Sequence, residues 1–177
     1  MIPNSELVQV DLVALVEDQD NSSPIVLLHD REGNRLLPIW IGDAEARSIA
    51  IALNRTPMPR PLTHKLLSNM IVQMGGRLIS IVVNKMDGRT YFAGLNVQIG
   101  IKKMQIDSRP SDAIALALEA RCPIFVTRAI MDKAAQKNPL PTFAAQQAKR
   151  PMGVKDLEKL KGLLEKARER EQKSTEI

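Results

Sequence analysis

A chain of 177 residues, 44% of them apolar, suits one ordinary domain with a sizeable core. No apolar run nears the roughly 20 residues of a membrane span, Glu6 and Asp11 argue against a signal peptide, and the single Cys122 excludes an internal disulfide or a cysteine-based zinc site, so a reducing cytoplasm is the expected home. The net charge of +5 is unevenly spread: residues 1–50 hold nine acids and three arginines, net −6, which leaves +11 for the rest. That asymmetry permits a polyanion partner, but a mixed soluble surface with a basic tail is the plainer account of it.

The first fifty residues read as strands. LVQVDLVALVED (7–18) is rich in Val and Leu, and PIVLLHD (24–30) and RLLPIWI (35–41) form a hairpin about Gly33-Asn34. GDAEARSIAIAL (42–53) opens on good N-cap types and becomes helical. NRTPMPRPL (54–62) is too proline-rich for a helix. Thr63 can cap a helix running to Met74, in which Leu66, Leu67, Met70, Ile71 and Met74 keep a helical stripe, and Gly75-Gly76 ends it.

RLISIVVNK (77–85) and RTYFAGLNV (89–97) are strands around an Asp87-Gly88 turn. IKKMQID (101–107) is a third strand, SRPSDAIALALEA (108–120) a helix, CPIFVT (122–127) a short strand and RAIMDKAAQ (128–136) a short helix. After about residue 135 a loop-like stretch leads to a charged helix with a narrow stripe of Leu157, Leu160, Leu164 and Ala167. The expected division is a domain over 1–135 and a linker with a C-terminal helix over 136–177.

Ile49-Ala50-Ile51-Ala52-Leu53 echoes Ile114-Ala115-Leu116-Ala117-Leu118, and a shift of 65 residues carries strand 35–41 onto 100–106 and helix 43–53 onto 108–118. The expected fold is therefore α+β: two β-β-β-α repeats, a mixed or antiparallel sheet, and Ala-rich helices packed closely on it. Both repeats, if paired pseudo-symmetrically, bring helix starts to one cleft.

Chemistry concentrates at those helix starts. Ser108 is a natural cap with Pro110 in the first turn, and Glu45 and Asp112 sit where the helix dipole favours acids. Capping gives Asp107 and Arg109 no task. Gathered together, Glu45, Asp107 and Asp112 suit a divalent cation through oxygen ligands, and Arg109 suits a phosphate. Capping with ion pairing remains the plainer account of the same residues. His29, at a hairpin end, reads as a surface residue. His64 at a helix start reads as a first-turn residue satisfied by a carboxylate, or as a general acid or base. Metalloprotease, phosphate-loop and esterase motifs are absent.

LPIWIGDAEARSIAIAL, PRPLTHKLL and IDSRPSDAIALAL, in that order, resemble the bifunctional nuclease domain family of bacteria and plants, over roughly residues 5–135. The resemblance implies an α+β fold and, from the plant members, hydrolysis of phosphodiester bonds in RNA and DNA with little sequence specificity. Carried onto matching positions, the family's recurrent polar residues are Glu45, Thr63, His64, Asp107, Arg109, Ser111 and Asp112, with no roles assigned by the resemblance. By side-chain chemistry Glu45, His64, Asp107 and Asp112 are the catalytic candidates, and Thr63, Arg109 and Ser111, together with Arg60, the substrate-binding ones. Two expectations stand for activating water: Mg²⁺ or Mn²⁺ with Glu45, Asp107 and Asp112 as candidate ligands, or His64 with no cofactor. Lys65 departs from the acid that often follows this histidine, and the C-terminal helix lies outside the resemblance. Nucleic acid and a second copy of the chain are the expected partners, with no membrane. Only Trp40, Tyr91, Phe92, Phe125 and Phe143 are aromatic, so nucleic-acid binding would rest on phosphates rather than stacking. The rival class is a non-catalytic module that binds an anion or a partner in regulation or assembly.

Overall fold

The computed structural model describes residues 2–17, 23–30 and 32–137. After a 3-10 turn at Asn4–Glu6, strands β1 (Leu7–Glu17), β2 (Pro24–Asp30) and β3 (Arg35–Trp40) form an antiparallel meander that leads into helix α1 (Asp43–Asn54). Helix α2 (Thr63–Gln73) follows the proline-rich connection. A second meander, β4 (Gly76–Asp87), β5 (Thr90–Ile99) and β6 (Lys102–Ser108), leads into α3 (Pro110–Ala120). The chain continues through β7 (Ile124–Thr127), α4 (Arg128–Ala134) and the two-residue β8 (Gln136–Lys137).

All eight strands join one sheet in the order β6-β5-β4-β7-β1-β2-β3-β8. Strand β7 is the seam: it runs parallel to β4 and antiparallel to β1. The innermost strands of the two meanders therefore run in opposite directions, and each meander unrolls outward to its own edge. The two helices that close the meanders, α1 and α3, pack on each other, and α2 packs on α3. The main core holds Val26, Leu28, Leu37, Ile49, Ile81, Val83 and the Ala113–Ala117 run of α3. Alternate residues of β2 and β3 (Ile25, Leu27 and Leu36) go to a smaller second cluster, as the two-residue period of a strand requires.

The repeat is present, with a different period. The helix-starting bonds Ala46 N–H to Gly42 O (2.9 Å) and Ala113 N–H to Arg109 O (3.0 Å) lie 67 residues apart. The helix-ending bonds Thr56 N–H to Ile51 O (3.0 Å) and Cys122 N–H to Ala117 O (3.1 Å) lie 66 apart. Helix α3, at 11 residues, is one shorter than α1, at 12, which absorbs the difference. The expected shift of 65 came from aligning the Ala-Ile-Leu bodies, where small and branched residues alternate and a slip of a residue or two looks alike.

Three local expectations differ from the structure. Ser108 does not cap α3: a residue before proline is pushed into extended backbone, so Arg109 (φ −67°, ψ 146°) is the N-cap, and the Ser108 hydroxyl donates to the Arg109 carbonyl instead. Thr63 likewise is the first helical residue of α2 and not its cap, which is Leu62. His29 is no surface residue. It is fully buried in β2, with Nε2 3.4 Å from the Asn34 side-chain oxygen and Nδ1 without a partner among the described residues.

Helix α2 also turns the opposite way from a core-facing stripe. His64, Ser68 and Ile71, at i, i+4 and i+7, are its half-buried side, whereas Leu66, Leu67, Met70 and Met74 are exposed. The short β8 pairs with β3 and buries Gln136, so ordered structure passes residue 135. The tail stripe from Leu157 to Ala167 lies outside the described residues.

Candidate active site

The N-cap geometry of α3 throws the Arg109 side chain across the start of its own helix. Its Nε and Nη2 donate to the two carboxylate oxygens of Asp112, at 2.7 and 3.1 Å, in a side-on fork. Its Nη1 donates to Oε1 of Glu45 at 2.7 Å, 64 positions away in sequence. Asp112 stands three residues after the N-cap Arg109, and Glu45 three residues after the N-cap Gly42. They are equivalent positions of the two repeats, gripped by one guanidinium. Gly42 leaves the room: a methyl group there would stand 2.5 Å from Oε2 of Glu45.

His64 joins from the first turn of α2, its Nε2 3.0 Å from Oδ1 of Asp112. Against the ionised carboxylate, Nε2 is the protonated nitrogen, which leaves the Nδ1 lone pair as the basic one. Burial pushes the Asp112 carboxyl up, but the hydrogen bonds from Arg109 and His64, with their charges, outweigh it and hold it below the usual carboxylate range. The hydrogen bond to Asp112, then that to Glu45, pushes the Arg109 guanidinium above its ordinary value, so it stays charged at every working pH. Arg109 uses three of its five N–H donors here and its side chain is 65% exposed. Two donors remain for an incoming oxyanion.

Glu45, His64, Arg109 and Asp112 are thus brought together from three helices. Asp107 is not joined to them by any hydrogen bond or ion pair among the described residues. It lies next to the end of the edge strand β6, pairs with Gly94 and is exposed, so it needs no buried partner. Ser111 is buried within the first turn of α3, and Thr63 is exposed at the start of α2. Arg109 stands between two of the three carboxylates expected to hold a cation, and no group of three or more His, Cys, Asp or Glu side chains is arranged to hold a metal among the described residues. Burial pushes the Cys122 thiol up to about 11, far from a thiolate nucleophile at neutral pH.

His64 also lines a groove of about 600 Å³ between α1, α2, α3 and the proline-rich connection. Its cations are Arg55, Arg60, Lys65 and Arg121, against the single acid Glu119, which pairs with Lys65 at 3.2 Å. Arg60 was expected from the sequence; Arg55 and Arg121 were not. Their signal was there to find, because each closing helix is followed by Arg-x-Pro: Arg55-Thr56-Pro57 and Arg121-Cys122-Pro123.

An eight-stranded α+β sheet, with two closing helices whose equivalent acids share one arginine beside a histidine and a basic groove, defines the class of domain. The model of the family described as "Bifunctional nuclease domain" matches residues 26–139, and the chain belongs to that family. An uncharacterized protein of Mycobacterium tuberculosis (strain ATCC 25618 / H37Rv) is 32% identical over 157 residues, 89% of this chain and 93% of that protein. "Bifunctional nuclease 1" of Oryza sativa subsp. japonica is 28% identical over 121 residues, 67% of this chain and 37% of its own length. "Bifunctional nuclease 2" of Arabidopsis thaliana is 29% identical over 109 residues, 60% of this chain and 33% of its own length. No helix among the described residues is long and apolar enough to cross a membrane.

Proposed function

We propose that this protein hydrolyses phosphodiester bonds in RNA and DNA, in the cytoplasm, with His64 as the proton-transfer group. The observation that carries the reading is that His64 belongs both to the Glu45–Arg109–Asp112 array and to the basic groove. Asp112 fixes the tautomer, so that Nδ1 takes a proton from the attacking water or hydroxyl and later returns one to the leaving oxygen. The spare donors of Arg109 neutralise charge that builds on the phosphoryl oxygens. Glu45 holds the third arm of the guanidinium and so fixes its plane. Mg²⁺ or Mn²⁺ would enter as an added cofactor, its effect read by titration.

The test is cleavage of single- and double-stranded RNA and DNA, with Mg²⁺, with Mn²⁺ and with a chelator. His64→Ala and Asp112→Asn should each slow cleavage at least about 100-fold, the scale of a lost general acid or base. Their unfolding cost should stay near 1–2 kcal/mol, because the network is half-open to water. An intact chain that cleaves none of these substrates, or variants that cleave as well as it does, would sink the nuclease reading. The mutual satisfaction of the four side chains favours a second reading, an anion-binding module without chemistry. It predicts oligonucleotide binding and no cleavage. We further propose a homodimer formed through the exposed apolar side of α2.

A further inference from the structure

The repeat places an arginine at the same point of each closing helix. Arg55 (φ 50°, ψ 41°) ends α1 and Arg121 (φ 55°, ψ 42°) ends α3, both in the left-handed conformation that such a position usually gives to glycine. Both are exposed, both line the same groove, and neither forms an ion pair among the described residues. A long cationic side chain in a strained backbone state, twice, facing one cavity, and with no carboxylate to neutralise it, is a poor solution for stability alone. Glycine would relieve the strain and Lys65–Glu119 shows that acids are within reach of this groove.

We propose that Arg55 and Arg121 are a phosphate clamp: they bind the backbone phosphates of a single-stranded nucleic acid that flank the phosphate presented to His64. The clamp rests on the nuclease reading for its substrate class. The groove's roughly 600 Å³ is the size of a small-ligand pocket, enough for a short run of extended strand and too small for a duplex. Its apolar wall, Met58, Pro61 and Leu62, offers surface to bases without stacking rings. Recognition then lies in the phosphates, which fits low sequence specificity.

The rival role for each arginine is local: a positive side chain in the last turn offsets the negative end of the helix dipole. Glycine substitution separates the two. The double variant Arg55→Gly with Arg121→Gly removes both cations and relaxes both backbones. On the clamp it melts at or above the temperature of the intact chain. It binds a short fluorescein-labelled single-stranded oligonucleotide at least about tenfold more weakly, and the slope of log affinity against log salt shrinks by about 1.4, at roughly 0.7 per lost phosphate contact. Lys102→Gln, exposed on the edge strand β6 outside the groove, leaves that slope unchanged. The clamp is overturned if the intact chain does not bind the oligonucleotide, if the double variant binds with unchanged affinity and slope, or if it melts far below the intact chain. Cleavage of the same oligonucleotide by the intact chain is scored separately. Binding lost in the double variant, with no cleavage by the intact chain, sinks the nuclease reading and keeps the clamp.

Discussion

Asp112 accepts hydrogen bonds from both Arg109 and His64 and is the hinge of the site. Its carboxyl is held below its ordinary value in the folded chain, so its contribution to stability is complete above the unfolded value of about 3.9. That contribution is lost as the pH falls through the lower folded value. The unfolding free energy of the intact chain should therefore fall more steeply than that of Asp112→Asn as the pH is taken from about 5 to about 3. Urea titrations at several pH values would measure it, and identical pH slopes would remove Asp112 as a coupled group. No comparable weight attaches to Arg109 itself, whose exposed guanidinium is screened by water.

Among the elements, the β2–β3 hairpin shows how burial sets the value of an ion pair. Asp30, almost fully buried, accepts from the N–H groups of Glu32 and Gly33 and from Arg35 Nε and Nη2, at 2.9–3.1 Å. The same Arg35 donates through Nη1 to Asp132 on α4 at 2.7 Å, where the carboxylate is 61% exposed. Removing the buried partner takes the acceptor from two turn N–H groups and from two donors of Arg35, which keeps only its Asp132 contact; removing the exposed one frees a single donor beside water. Asp30→Ala should cost about 3–5 kcal/mol of unfolding free energy and Asp132→Ala about 1 kcal/mol or less, both read from denaturant midpoints. Equal costs would mean that the hairpin does not depend on its buried acid.

At the scale of the whole molecule, the seam strand β7 lets two outward-running meanders share one sheet, and their closing helices then meet on one core. Helix α2 has no counterpart in the repeat. It lies against α3 and contributes His64 on its inner side, while Leu66, Leu67, Met70 and Met74 face outward. That row is the surface through which two copies would pair. The intact chain should sediment as a dimer and Met70→Glu, which puts a charge in the middle of the row, as a monomer with unchanged helix content. A monomeric intact chain would end the pairing proposal.

Most of the elements, the repeat and the family were written in the sequence, because each is carried by local signals. These are strand-forming runs of Val and Leu, Ala-Ile-Leu helices and turn glycines at Gly75 and Gly88; the cap of α3 was read one residue early, at Ser108 instead of Arg109. Asp112 and Arg109 were legible as neighbours at one helix start, though not as a pair. What the sequence could not state was which distant groups meet. Edge or interior position decided that Asp107 stays in solvent while His29 is buried. Packing of α2 on α3 decided that His64 reaches Asp112, 48 positions away, and that the helix shows water its apolar side. The join of Glu45 to Arg109 depends on two helix starts converging across the repeat, which is a property of the sheet order and not of either segment. Local backbone preferences act over a few residues and so leave their mark in the sequence. A carboxylate's choice of partner is settled by which surfaces the core brings together.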